Sequence, residues 1–237
     1  MRLTSNLSFS RLSRSVSLVI IIVTVSFFVL QSFSAIIFGF DLLQSLGAKI
    51  NPLILRGQIW RFITPVFLHG SFLHIAFNMY ALYSIGPGLE RKYDHVSFLI
   101  LYLVSGIFGN VISFLMTPAA SLGASTAIFG LIAAQGVYIY KNRYLLGSAA
   151  RPLLMNILFM VAINLFLGLN PGIDNWGHLG GLLGGFLYAW FAGPTYGTPT
   201  ILFGNEVIVK EDKKIFIVLS VMIILAAALA SLRFFFS

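Results

Sequence analysis

The chain of 237 residues is 58% hydrophobic and only 9% charged, carries 15 basic against 7 acidic side chains for a formal charge of +8, and has no cysteine. Soluble domains average about 25% charged residues, so this composition excludes one and marks an all-α polytopic membrane protein. The excess of cations is what basic membrane proteins carry in cytoplasmic loops, which argues against a nucleic-acid partner. The missing cysteines remove disulfides, thiolate zinc sites and a cysteine nucleophile.

Residues 1–14 form a polar tail with Arg2, Arg11 and Arg14, and the apolar run over 15–40 is the first predicted span. It is longer than a signal-peptide core of about 7 to 15 residues, so it is expected to be retained. The connection 41–70 is not hydrophilic, and with Trp60 suited to the membrane interface it is predicted to fold partly in the outer leaflet. The second span covers 72–89 and ends in Glu90-Arg91-Lys92, and the third covers 96–116 with Gly106 and Gly109 inside it. After the loop Ser121-Leu122-Gly123-Ala124, the fourth runs from Ser125 to about residue 140. The fifth is 153–167, followed by the turn Asn170-Pro171-Gly172, and the sixth is 176–191. A polar stretch over 193–214 leads to a seventh span, 215–231, closed by Arg233.

Seven spans place alternate loops on alternate sides. Loops on the side of the N-terminus hold eleven of the fifteen Lys and Arg residues, leaving Lys49, Arg56, Arg61 and Arg233 opposite. By the positive-inside rule the N-terminus is then cytoplasmic, and Ser125, His178, His69 and His74 lie toward the other face.

Ser125 opens a helix, where backbone N–H groups lack intrahelical partners and carry the positive dipole end, so its hydroxyl is either a cap or a nucleophile. Hydrocarbon penalises polar groups, which makes His178, His74 and Asn78 candidates for function, although His and Asn also serve as interhelical hydrogen-bond glue. His74 and Asn78 are four residues apart and share a helix face. His178, Gly181 and Gly185 share another, so a helix packed on that glycine seam can come very close to the histidine. On the fourth helix Gly136 lies on the serine's face with Ala133 beside it, together with the larger Phe129 and Ile132. If the two faces meet, Ser125 and His178 come within hydrogen-bond reach, as a base that activates a hydroxyl requires. Asp174 precedes His178 by four residues in a turn and reads as a helix cap, so the pair would work as a dyad. Donors for an oxyanion could come from the Ser125 N–H, the Asn78 amide and the His74 ring.

In Trp60-Arg61, in the run from His69 to Asn78, in Gly123-Ala124-Ser125 and in the stretch from His178 to Gly185, the chain resembles the rhomboid family of intramembrane serine proteases. The blocks occur in family order over about residues 55–190. The resemblance implies a six-helix rhomboid-like core with Ser125 as nucleophile, His178 as general base and acid, and His74 with Asn78 as oxyanion support. It implies that the Trp60-Arg61 loop lies in the outer leaflet, that the fifth helix is a lateral gate, and that Glu90, like Trp60 and Arg61, is structural. Phe129 would stand where the family places an aromatic ring against the histidine, His69 would be structural, and the seventh span would be the extra C-terminal helix of six-plus-one members. Thr126 departs from the glycine that usually follows the nucleophile. It keeps the backbone donor but sets a β-branched side chain beside the site, with a bearing on substrate size.

The expected organisation is a cytoplasmic tail (1–14), the membrane core (15–192) with its membrane-associated loop (41–70), a cytoplasmic linker (193–214) and a seventh helix with a short tail (215–237). The expected activity is cleavage of membrane-protein substrates in or beside their transmembrane helices, with no cofactor and no metal, in a bacterial inner membrane or an organelle membrane such as that of a plastid. The alternative is a catalytically inactive relative that binds membrane clients for sorting or quality control. A transporter would show charged or broken repeats at the midplane, and a metalloprotease a pattern such as H-E-x-x-H. Neither is found in the sequence. Oligomeric state and substrate identity are not encoded in any motif.

Overall fold

A helix in hydrocarbon gains little by burying leucine against leucine, so close backbone approach, packing and hydrogen bonds choose its partners. The arrangement of this chain follows from where its small and polar residues fall. The computed structural model describes residues 15–196, 200–202, 205–207 and 215–235. The tail cations Arg2, Arg11 and Arg14 and the linker cations Lys210, Lys213 and Lys214 lie outside the described residues.

Helix α1 (Val16–Phe38) starts where the Glu90 carboxylate accepts the N–H groups of Val16 and Ser17 at 2.7 and 3.0 Å, and it ends at Gly39 with φ 74°. The carboxylate satisfies donors that have no intrahelical partner and faces the positive end of the dipole. The connection expected over 41–70 is folded throughout. It contains α2 (Leu42–Gly47), capped by Asp41, α3 (Asn51–Leu55), with Pro52 in its first turn, and two 3-10 turns (Ile59–Phe62 and Thr64–Phe67). Buried Arg61 ties it together by donating to Ala48 O at 2.6 Å, Ser45 O at 2.7 Å and Gln58 Oε1 at 2.8 Å. Trp60 stays half exposed while its Nε1 donates to Leu46 O at 3.0 Å.

The long helices follow as α4 (Phe72–Tyr93), α5 (His95–Met116), α6 (Ser125–Lys141), the short α7 (Arg143–Leu146), α8 (Ala150–Leu167), α9 (Asn175–Ala192) and α10 (Ile215–Phe235). Helix α4 runs past its expected end at 89 because the break is set by Asp94, whose φ of 71° stops one helix while its carboxylate caps the next at Ser97 N. The expected linker contains a small antiparallel hairpin, β1 (Thr200–Leu202) and β2 (Asn205–Val207). The chain is an all-α polytopic membrane protein apart from that hairpin. Among the described residues four segments, Val16–Phe38, His95–Met116, Arg143–Leu167 and Ile215–Phe234, are long and apolar enough to cross a membrane by length and composition. Helices α4, α6 and α9 fall outside that set because α4 ends in charge and α6 and α9, only 17 and 18 residues long, carry polar and glycine residues.

Helix α5 is central. Phe98, Leu101, Tyr102 and Phe114 are completely buried on it, whereas α8 buries only Ala150 and Ile157. Helix α9 lies against both α5 and α6, and each of its Gly-Gly pairs is divided between them. Gly180 and Gly184 meet Phe108 and Gly109 of α5, while Gly181 and Gly185 meet the backbones of Thr126 and Gly130 on α6. The α6 side of this contact differs from the expected one. It runs along Thr126 and Gly130, while Gly136 faces Ile157 of α8. A shared helical face is necessary for contact, but crossing helices touch over only a turn or two of it.

Candidate active site

The stretch before α6 is held at both ends. Lys49 and Ser121 exchange backbone hydrogen bonds of 2.9 and 3.1 Å, and Gly123 N donates to Pro65 O at 2.9 Å. Gly123 has φ 131°, and any Cβ there would come within 2.7 Å of the His74 ring, so this position demands glycine. Ser125 is the first residue of α6, one position past the N-cap residue Ala124, so its hydroxyl does not occupy the capping position. It lies instead 2.9 Å from Nε2 of His178.

His178 sits in the first turn of α9, whose N-cap Asp174 accepts the Gly177 N–H at 2.9 Å. Its ring stacks on Phe129 with centroids 4.2 Å apart and planes at 11°, which fixes the imidazole plane while Nε2 points to the serine. Among the described residues no side chain hydrogen-bonds Nδ1. The second oxygen of Asp174 accepts the Ser113 hydroxyl of α5.

On α4 the His74 ring lies against Gly123, two residues before Ser125, and Asn78 follows His74 by one turn and is buried. The His74 ring meets the buried His69 ring edge to face at 4.9 Å, and Asn78 Nδ2 donates to His74 O at 2.9 Å. His69 Nε2 accepts the Ala124 N–H at 3.4 Å. Burial, and next the neighbouring His74, push His69 down to about 3, so it stays neutral and able to accept. Glu90 lies at the far end of α4, with hydrogen bonds also from Ser15 and Ser17 hydroxyls and from His95. Thr126 does not protrude beside the serine as expected. Its side chain is buried against Gly109 and Gly177, because the glycines of α5 and α9 leave a notch that a β-branched residue fills.

Two cavities flank this arrangement without containing it. An open depression of about 350 Å³ is bounded by Thr117, Ala119 and the turn 168–176. A groove of about 490 Å³ lies between α6, α8 and α9, lined by residues such as Gly136, Ile157, Phe186 and Trp190. Lys49, Asn51 and Ser113 belong to no motif in the sequence. All three are buried, and Lys49 and Asn51 donate to the carbonyl-rich end of α5. The available signal was a lysine set between Ala48 and Ile50, one of only four basic residues on its side of the expected topology.

The family profile of the Rhomboid domain matches residues 56–195. Rhomboid protease GluP of Bacillus subtilis is 42% identical over 160 residues, covering 67% of this chain and 30% of the relative. RHOMBOID-like protein 9, chloroplastic, of Arabidopsis thaliana is 37% identical over 149 residues, 62% of this chain and 34% of the relative. Rhomboid-like protease 1 of Toxoplasma gondii is 41% identical over 150 residues, 62% of this chain and 51% of the relative. The chain thus spans about a third to a half of the length of these curated relatives. Since the profile match takes in more than half of the chain and holds the loop, the serine and the histidine described above, the chain belongs to the rhomboid family.

Proposed function

We propose that this chain is an intramembrane serine endopeptidase that cuts membrane proteins in or beside their transmembrane helices, with Ser125 as nucleophile and His178 as general base and then acid. The observation that carries this reading is the 2.9 Å approach of Ser125 Oγ to His178 Nε2, made by a hydroxyl one residue past the N-cap of α6 and a ring stacked on Phe129. In the reaction Oγ attacks the scissile carbonyl carbon while its proton moves to Nε2. The negative charge formed on the carbonyl oxygen develops beside the first turn of α6, where the Ser125 N–H and the dipole favour it, with His74 and Asn78 as further donors. Nε2 returns the proton to the leaving amine, and water, deprotonated by the same nitrogen, hydrolyses the acyl-enzyme.

Packing takes the orienting role that a third residue has in a triad, since Phe129 stacks on the ring and Gly181 and Gly185 bring α9 onto α6. Trp60, Arg61 and Glu90 are structural in this account. The thinly packed α8 suits a lateral entry for substrate, and a substrate helix must unwind to offer its carbonyl, which favours small or helix-breaking residues near the cut. In this reading the N-terminus and the linker 193–214 lie in the cytoplasm, by the distribution of Lys and Arg, residues 15–192 are the catalytic core, and the seventh helix is an addition to it.

Purified protein in detergent should cleave a single-span reporter, and Ser125→Ala and His178→Ala should each abolish cleavage. Persistent cleavage by either variant contradicts the assignment.

A further inference from the structure

Lys49 is completely buried in the membrane-associated loop. A buried ammonium is tolerated only where its hydrogen-bond capacity is met. Its Nζ donates to Ser113 Oγ at 2.9 Å, Ala119 O at 2.7 Å and Thr117 O at 3.3 Å. The Ser113 hydroxyl in turn donates to Asp174 Oδ2, and Asp174 Oδ1 accepts the Gly177 N–H that immediately precedes His178. At its other end Lys49 pairs through both backbone groups with Ser121, four residues before Ser125. One residue therefore touches the loop that delivers the serine and, through two further side chains, the first turn of the helix that delivers the histidine.

We propose that Lys49, Ser113 and Asp174 are positioning residues that set the distance between Ser125 and His178. This rests on the protease reading for its kinetic consequence but not for its geometric one. The hydrogen bonds run in one sense, from ammonium to hydroxyl to carboxylate, so each donor polarises the next and the chain is stiffer than separate bonds would be. Charge separates the network from ordinary loop packing. Asn51 and Arg233 already supply donors to the same end of α5, at Phe114 O, Leu115 O and Thr117 O, whereas Lys49 alone among the described contacts passes through Ser113 to the cap of α9.

Ser113→Ala is the informative variant, because it cuts the link yet leaves the Lys49 bonds to Thr117 O and Ala119 O and the Asp174 cap in place. In the full chain in detergent it should lower kcat for a single-span reporter, and the rate of fluorophosphonate labelling, by about tenfold to a hundredfold, with KM unchanged. Lys49→Met should lower them similarly, and the double variant should be no worse than the lower single. The 15N-imidazole spectrum of His178, which reports the Ser125 hydrogen bond without turnover, should shift in Ser113→Ala toward that of Ser125→Ala. A folded Ser113→Ala protein with the wild-type imidazole spectrum overturns the positioning role, whether or not the chain turns over, as does a loss that multiplies in the double variant. Wild-type protein that neither cleaves nor labels overturns the protease reading alone.

Discussion

Replacing Gly181 by alanine tests the helix contact on which the site depends. The added methyl would lie 2.0 Å from Thr126 O and 2.8 Å from its carbonyl carbon, where real contacts essentially never fall below 3.0 Å. Both obstacles are backbone, so α9 must retreat from α6 by about 1 Å, since packed interiors have no slack to absorb the insertion. The pair now at 2.9 Å then opens to about 3.9 Å, past hydrogen-bonding range. A displacement of about 1 Å costs about a hundredfold in rate, and overpacking of this kind costs about 1–3 kcal/mol of stability. The assay is reporter cleavage at saturating substrate beside thermal unfolding in the same detergent, with Gly88→Ala as control because its methyl would meet nothing closer than Arg91 Nη2 at 4.0 Å. Gly181→Ala protein that folds and keeps wild-type kcat refutes the reasoning.

Glu90→Ala should separate stability from chemistry. It strips a buried acceptor from Val16 N, Ser17 N and the hydroxyls of Ser15 and Ser17, so stability should fall by about 3 kcal/mol or more. Labelling per folded molecule should persist, because Glu90 is about 24 Å along α4 from His74. Phe129→Leu removes the ring stacked on His178 and should lower kcat about tenfold with KM unchanged, whereas Phe129→Tyr should retain activity; equal rates for the two would dismiss the stacking role. Burial pulls Lys49 down to about 8 from 10.5, with Asp174 raising it and Arg233 lowering it. The folded value lies below the unfolded one, so between pH 8 and 10.5 the unfolded chain holds more proton there, and this group's contribution to stability rises with pH across that window. The labelling advantage of wild type over Lys49→Met should move the other way, shrinking as pH passes about 8 and the ammonium charge is lost; an advantage constant to pH 9.5 would contradict this.

Much of this was legible from residue order alone. Hydrocarbon makes each polar residue informative, so Ser125, His178, His74 and Asn78 stood out, and the spacing of Gly181 and Gly185 from His178 identified the face on which α9 meets α6. Periodicity could not say how far along that face α6 stays in contact. It therefore sets Gly136 at the seam, where the structure puts Gly130, and it gives no sign of the matching role of Gly180 and Gly184 against α5. Proximity in sequence sets Thr126 beside the serine, whereas its orientation is set by a notch in two other helices. The Lys49 network was beyond reach for the same reason. Its members come from the loop before α3, the end of α5 and the turn before α9, and only the tertiary fold brings them together.

The most direct measurement is intact mass and peptide mapping after treatment of the purified protein with a fluorophosphonate. The account predicts one adduct per chain, on the peptide containing Ser125, formed at a rate that collapses in His178→Ala. An adduct on another residue, or labelling of Ser125 that proceeds as fast without His178, would contradict it.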